Sequence, residues 1–362
     1  KVVYKQYVND ALRDLKLENF DVNRAPGAFF LSSGAEKIAV SRWISPKRTR
    51  SYPYERVYDT LAFAGGKKVT IIPVVKDEGL GGERDFLQWD TVSLLSLLDV
   101  HVILAYYSEA EKNTKRADQI TAQKFDNNYI RARLEEVFAF RGTARQWNER
   151  ETKQLKPVFE KARAAYREIS KKTNTYLHDE TALNELITYA ETPQKFIDFS
   201  RRKAQNAQAR EFQTLQPKEA LSTDTKGKVT ITNALFGKYF FTVDETKIEP
   251  PATVYLIEAK HSQRGLLPSK NDIKDGLIKM MLYTNLRGVK VDARAFDYKV
   301  MIRLTANRLK GSITSAAADE ELTKFCSDNL IDATNREFLK NLFREARENK
   351  FTIILEHGET AK

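Results

Sequence analysis

The sequence predicts an α/β fold carrying an inserted helical subdomain, and three observations predict it. Between Lys68 and Tyr107 a β-branched strand, a glycine-rich loop, a helix and a second apolar strand follow one another, which is the rhythm of an α/β domain. From about Ser108 to Gln216 the composition shifts to charged residues, Ala and Gln at helical spacing. After Lys228 β-rich stretches return and alternate with helices. The expected organisation is an N-terminal α/β part over 1–107, a helical insertion over 108–216 and a second α/β part over 217–362. The outer two parts should build one α/β core flanked by helices.

The first fifty residues mix short apolar segments with turns and end in a basic stretch holding Lys47, Arg48 and Arg50. Val57, Leu61 and Ala64 space a helix over Tyr52 to Ala64, stopped by Gly65 and Gly66. Lys68 to Val75 is dense in Val and Ile and reads as a buried strand. A helix over Phe86 to Leu98 and an apolar strand over Val100 to Tyr107 complete the first part. In the insertion, helices are expected over Asn128 to Phe140, Pro157 to Lys171 and Pro193 to Glu211. The last of these gathers Arg201, Arg202, Lys203 and Arg210 into a basic patch, suited to a phosphate backbone or equally to solvent. The second part reads as strands over Lys228 to Thr232, Lys238 to Val243 and Ala252 to Ala259, with Asp244 to Pro251 connecting the last two. A helix over Asn271 to Leu286, a strand over Asp297 to Leu304, a helical tail over Glu320 to Asn349 and a strand over Phe351 to Leu355 follow.

Composition narrows the function. Apolar residues make up 41% and charged residues 30%, an ordinary globular balance, and no apolar run is long enough for a membrane span. One cysteine, Cys326, excludes an internal disulfide and a cysteine-based zinc cluster, and the 4 histidines are scattered. Cytoplasmic location is the default expectation, and any metal is expected to be a hard cation on oxygen ligands. The 60 basic residues outnumber the 49 acidic ones, for a formal charge of +11, which favours a polyanionic partner.

The stretch that carries chemistry runs from Val254 to Lys260. On a strand, Glu258 and Lys260 share one face while Ile257 and Ala259 take the other. A carboxylate and an ammonium emerging together from an apolar strand each need a partner. Asp244, at the end of the strand before, approaches Glu258 if the two strands pair antiparallel. Two carboxylates so placed suit Mg²⁺, which polarises a phosphate and acidifies a water. Lys260 orients that water, helps deprotonate it or stabilises the growing charge. The bland reading is a salt bridge at a strand end.

This arrangement resembles the PD-(D/E)xK nuclease superfamily, which includes most type II restriction endonucleases. Glu258, Ala259 and Lys260 match the second half of the motif in full, whereas Val243 stands where the family's proline precedes the aspartate. The resemblance covers roughly 228–304. It implies a restriction-endonuclease-like mixed sheet, a magnesium site on Asp244 and Glu258, and a glutamate on an early helix, for which Glu55 is the candidate. It also implies that the helix after the motif strand lines DNA, with Lys274 and Lys279 on that element.

A rival acidic loop follows the first buried strand, with Asp77, Glu78, Asp85 and Asp90 around Gly79, Gly81 and Gly82. Ligands often bind at such strand ends, but the loop lacks phosphate-cradle patterns, and a plain turn with a helix N-cap explains it as well. Arg264, with Lys47, Arg48 and Arg50, is a further phosphate-contact candidate. The expected activity is Mg²⁺-dependent, sequence-specific cleavage of double-stranded DNA by a homodimer, a type II restriction enzyme. Repair or nicking nucleases of the same fold, a noncatalytic basic nucleic-acid-binding protein and a structural α/β protein are the alternatives.

Overall fold

The computed structural model describes residues 2–47, 53–213, 225–233 and 237–358, with side chains described outside 204–229 and 232–242. Arg48 and Arg50 lie outside the described residues, and nothing is described of the Arg210 side chain. The chain is mixed α/β and divides into two units. One comprises Ala11–Ala204, and the other joins Gln205–Lys362 to Lys1–Asp10.

The N-terminal unit holds β1 (Arg13–Lys16), β2 (Ala28–Ser33), β3 (Glu36–Arg42), α1 (Pro53–Leu61), β4 (Lys68–Pro73), β5 (Val75–Asp77), β6 (Arg84–Phe86), α2 (Trp89–Leu97), β7 (Val100–Ala105), β8 (Tyr107–Lys112) and β9 (Ile120–Phe125). The helices α3 (Asn127–Ala139), α4 (Ala144–Lys153), α5 (Leu155–Thr173) and α6 (Thr181–Tyr189) follow, and α7 (Pro193–Gln213) runs across the boundary between the units. The main sheet has the order β1-β2-β3-β4-β7. β2 and β3 are antiparallel, and β4 and β7 continue parallel from β3. β4 and β7 are buried along almost their whole length, as parallel strands covered on both faces must be.

β7 ends this sheet, and an open strand edge is a template for unwanted pairing. Helix α4 closes it. The Val102 amide donates to Asn148 Oδ1 (2.7 Å), Asn148 Nδ2 donates to the Val100 carbonyl (2.9 Å), and Trp147 Nε1 donates to the Val102 carbonyl (2.7 Å). The segment expected as a helical insertion therefore belongs with the sheet beside it. It also contains the β8–β9 hairpin, because Tyr107 and Phe125 stack at 4.4 Å across that pair and anchor it in the core.

The C-terminal unit holds β10 (Thr225–Asn233), β11 (Gly237–Glu249), β12 (Thr253–Ser262), α8 (Lys270–Tyr283), β13 (Lys290–Val291), β14 (Arg294–Ala295), β15 (Asp297–Ala306), β16 (Ser312–Thr314), α9 (Asp319–Asp328), α10 (Ala333–Glu348) and β17 (Thr352–His357). Its six-stranded sheet has the order β10-β11-β12-β15-β17-β16. The sheet is separate from that of the N-terminal unit, so the two α/β parts do not share one sheet as the expected single core would. β10, β11 and β12 are antiparallel neighbours, whereas β15 and β17 run parallel to β12. Both units thus repeat one order of connection: an antiparallel pair, a helix, a parallel strand, further helix, and another parallel strand.

Residues 2–10 lie along the helices of the C-terminal unit. The Tyr7 amide and the Tyr4 hydroxyl donate to Glu345 of α10 (2.7 and 2.9 Å), and the Val3 amide donates to Asn285 Oδ1 (2.9 Å). Glu345 is fully buried, and donors such as these offset the cost of its charge inside the unit.

Candidate active site

Strand β11 does not stop at Val243. It runs on to Glu249, pairing Glu245 with Ile257 and Glu249 with Thr253. Asp244 therefore sits inside a strand, and the supposed connection from Asp244 to Pro251 is mostly sheet. Its polar residues resemble a loop in sequence, but an antiparallel strand needs only one apolar face. This continuation brings Asp244 level with the motif on β12, where the Ala259 amide donates to Asp244 Oδ2 at 3.0 Å.

Helix α8 supplies the other half of the cluster. Ser269 caps it by accepting from the Asp272 amide at 3.1 Å, the arrangement that opens a helix. Asp275 and Lys279 are four residues apart and share a face. Gly276 lets that face close down, since a Cβ placed there would already stand 3.6 Å from Glu258 Cγ and 3.7 Å from Lys260 Cε.

At the centre lies Glu258, whose side chain is 0% exposed. Lys279 Nζ donates to both its oxygens, at 2.8 and 2.7 Å, and Lys260 Nζ lies 2.9 Å from Oε1 and 3.4 Å from Asp275 Oδ2. The two ammonium-bearing side chains are each 19% exposed. Three carboxylates and two ammonium groups thus share one largely buried cluster.

The acids respond to it differently. Burial works against the Glu258 charge, but Lys279 and Lys260 and their hydrogen bonds outweigh it and hold the carboxyl below its ordinary range. Burial also raises Asp244, and the neighbouring Glu258 charge adds to the rise, so that Lys279, the Ala259 amide and Lys260 only partly offset it. Burial raises Asp275 as well, against the pull of Lys260 and Lys279. Burial lowers both lysines, yet their carboxylate partners more than compensate, and both end above the ordinary range. The geometry therefore leaves one carboxylate firmly ionised and two held at a cost, the environment in which functional groups gather.

The structure brings Asp244, Glu258 and Lys260 together and adds Asp275 and Lys279. Glu55 lies on α1 in the N-terminal unit, and the cluster is described without it. Lys274 and Lys279 do not face outward as a DNA-lining pair. Lys274 is fully buried and lies 2.7 Å from Asp10, and Lys279 is turned onto Glu258, because α8 packs this side of its surface against β12. Arg264 is exposed beyond the end of β12. Lys47 is exposed 3.9 Å from Glu83. On α7, Lys203 lies 3.8 Å from Glu185 and Arg202 packs over the Tyr189 ring, both exposed, with Arg201 half-buried beside them.

The rival loop is built into its own unit. It is a β5–β6 hairpin, and helix α2 starts only at Trp89, so the expected start at Phe86 falls on strand. Asp77 is buried, accepts from the Gly79 amide (2.9 Å) and pairs with His178 Nδ1 (2.8 Å). Asp85 is buried and accepts from Ser45 Oγ (2.8 Å), and Glu78 pairs with Lys76 (2.9 Å). Asp90 sits in the first turn of α2, where a carboxylate favours the helix N-terminus. Asp77, Glu78 and Asp85 are engaged within or beside the hairpin.

Asp275, and the place of Lys279 beside Glu258, escape a reading of the sequence because α8 looks there like an ordinary amphipathic helix. The signal available is Gly276, a helix-weakening residue at the point of closest approach to Glu258. No helix among the described residues is long and apolar enough to cross a membrane. No protein-family model, no curated protein and no solved structure matches the chain.

Proposed function

We propose that the C-terminal unit is a magnesium-dependent endonuclease that hydrolyses phosphodiester bonds of double-stranded DNA at a specific sequence, in the manner of type II restriction enzymes. One observation carries this reading. A fully buried glutamate on a strand faces a half-buried aspartate of the neighbouring strand and a lysine two residues on, with a helix following, as the PD-(D/E)xK resemblance implies. A structural ion pair does not require two raised carboxyls in the same pocket.

The donor set fits a hard divalent ion. Asp244 and Glu258 offer carboxylate oxygens, the ligands Mg²⁺ demands, and Glu258 already holds a cation, the Lys279 ammonium. Mg²⁺ bound there would polarise the scissile phosphate and acidify an attacking water. Lys260 sits with its ammonium beside Glu258 and orients the nucleophile or stabilises charge growing on the phosphate. Asp275 holds Lys260 from the other side. The exposed cations Lys47, Arg202, Lys203 and Arg264, with Arg201, suit phosphate contacts that position the duplex without reading it. Among the described residues the chain carries one such cluster, so cutting both strands takes two copies. A homodimer also matches the two-fold symmetry of a palindromic site.

The test is incubation of the purified chain with a large mixed duplex DNA, with Mg²⁺ or with EDTA. Discrete fragments that require Mg²⁺ and vanish in Glu258→Gln and Lys260→Met, while DNA binding survives, are the expected result. Nicks without double-strand breaks would move the reading to a nicking or repair enzyme. Intact but retarded DNA would leave a noncatalytic binding protein.

A further inference from the structure

Lys279 is the member of the cluster to which the proposed chemistry gives no task. It nevertheless makes the shortest polar approaches in the site, 2.8 and 2.7 Å to the two Glu258 oxygens. The two ammonium groups divide the carboxylates between them. Lys260 bridges Glu258 and Asp275, at 2.9 and 3.4 Å. Lys279 acts on Glu258 first and on Asp244 next, and among the cations near Asp244 its effect exceeds that of Lys260. Asp244 precedes Glu245, which pairs with Ile257 next to Glu258, and it accepts from the Ala259 amide, so Lys279 covers both oxygens of the carboxylate that a divalent cation would share with Asp244.

From this placement we infer that Lys279 reserves the divalent-cation place of the cluster, and that a divalent cation binds there by displacing its ammonium. The inference rests on the nuclease reading of the site. The physical reason is the cost of two facing carboxylates. With no cation between them, Asp244 and Glu258 would be buried like charges, which is severely unfavourable. A lysine serves as resting counter-ion because its charge sits at the end of a flexible four-carbon stem, so it can withdraw without moving α8. A hard divalent ion coordinates carboxylate oxygens at about 2.0–2.1 Å, and both oxygens of Glu258 are now occupied by Lys279. A divalent ion at that distance would meet the Lys279 ammonium as a like charge at close range. The free protein therefore holds divalent ions weakly, although its donors are preformed.

The experiment is metal binding by the full chain after EDTA treatment, with Mn²⁺ as a paramagnetic probe and Mg²⁺ by calorimetry. Lys279→Met is expected to bind Mn²⁺ at least about tenfold tighter than the wild type, a modest share of the effect of one nearby buried charge. Lys279→Arg, which keeps the cation, is expected to stay as weak as the wild type, and Lys260→Met to gain less than Lys279→Met. Equal or weaker Mn²⁺ binding by Lys279→Met would overturn the inference. A second measurement needs no destabilised variant. In wild-type protein labelled with ¹³C at lysine Cε, Ca²⁺ is expected to shift the Lys279 signal, assigned by its loss in Lys279→Arg, more than any other. A Lys279 signal unmoved at saturating Ca²⁺ would overturn the displacement. Mg²⁺-dependent cleavage with unchanged metal affinity in Lys279→Met would sink the inference alone, whereas no metal binding and no cleavage in any form would sink the nuclease reading with it.

Discussion

Removing one carboxylate at a time should move stability in opposite directions at neighbouring positions. Glu258 is the shared partner of Lys260 and Lys279, with no exposed surface. In Glu258→Gln, one amide oxygen still accepts from one lysine, but the amide nitrogen faces the other, and two ammonium groups lose their common counter-charge. Breaking a buried pair in this way costs about 3–5 kcal/mol. Asp244 is the converse case. Its role in the fold is to accept the Ala259 amide at 3.0 Å, which the Asn carbonyl oxygen of Asp244→Asn also does. What the substitution removes is a buried charge disfavoured first by burial and then by Glu258. A gain of about 0.5–2 kcal/mol is expected, the range common for single stabilising substitutions. The assay is urea unfolding of both variants and wild type near pH 7.5 with EDTA, followed by a probe common to all three. A loss of stability in Asp244→Asn, or a gain in Glu258→Gln, would refute the electrostatic account of the cluster.

The same acids give stability a sign with pH. Glu258 lies below its unfolded value, so its contribution is present above about pH 4.3 and is lost as pH falls through its depressed folded value. Asp244 and Asp275 lie above theirs, so their contributions are present below about pH 3.9 and are lost as pH rises through their raised values. Metal-free protein should therefore gain stability from this cluster on moving from neutral to mildly acidic pH, and Asp244→Asn should blunt that gain in pH-dependent urea melts. In the N-terminal unit, Asn148→Ala leaves the Val102 amide and Val100 carbonyl without the partners seen at 2.7 and 2.9 Å, and should cost about 2–4 kcal/mol on thermal or urea unfolding. Replacing Arg202 and Lys203 together should lower the slope of log affinity against log salt by about 0.9 for each phosphate they neutralise, whereas Lys274→Met, buried against Asp10, should leave the slope of the folded protein unchanged. Gly276→Ala should add about 0.5–1 kcal/mol of helix stability, since its Cβ finds ordinary contact at 3.6 Å, and Gly276→Leu should abolish metal binding by pushing into Glu258 and Lys260.

Periodicity reveals the elements that bury an apolar face and little of those that do other work. Helices α3, α5, α7 and α8 and strands β4, β7, β12 and β15 lie where their apolar spacing predicts, within a few residues. Helix α4 escapes such a reading, because its ten residues carry five charged side chains and it docks by hydrogen bonds from Trp147 and Asn148 rather than by an apolar stripe. The second half of β11 looks like a loop for a related reason, since Glu245, Thr246 and Lys247 are all polar and only the pairing of Thr246 and Lys247 with Leu256 and Tyr255 reveals a strand. At the site, Glu258 and Lys260 are legible because a strand's two-residue period puts both on one face. Asp275 and Lys279 are not, because no pattern in the chain says which helix lies over which strand. The two lysines of α8 show the limit most clearly. The resemblance implies that both face DNA, and packing turns one onto Asp10 and the other onto Glu258.

The two units together bear on why the charges of the cluster are there. Each contains an antiparallel pair followed by a helix and a parallel strand, so β3 and β12 hold the same place in their connection orders. The buried stretch of β3 is Ile38, Ala39, Val40 and Ser41, and its one polar group is a hydroxyl donating to Thr70 at 2.7 Å. That strand packs and pairs on both sides without a buried carboxylate. Hence the topology itself does not demand Glu258, nor the two lysines that neutralise it. A buried ionic cluster is weak evidence of stabilisation, because apolar residues of similar volume often serve as well or better. Here two of its three acids carry raised carboxyls, so the cluster includes charges the fold would be more stable without. Sites that break the local rules of packing in this way are where function is expected. The sheet of the N-terminal unit serves as an internal comparison, and against it β11, β12 and α8 stand out by the charges on which the proposed chemistry rests.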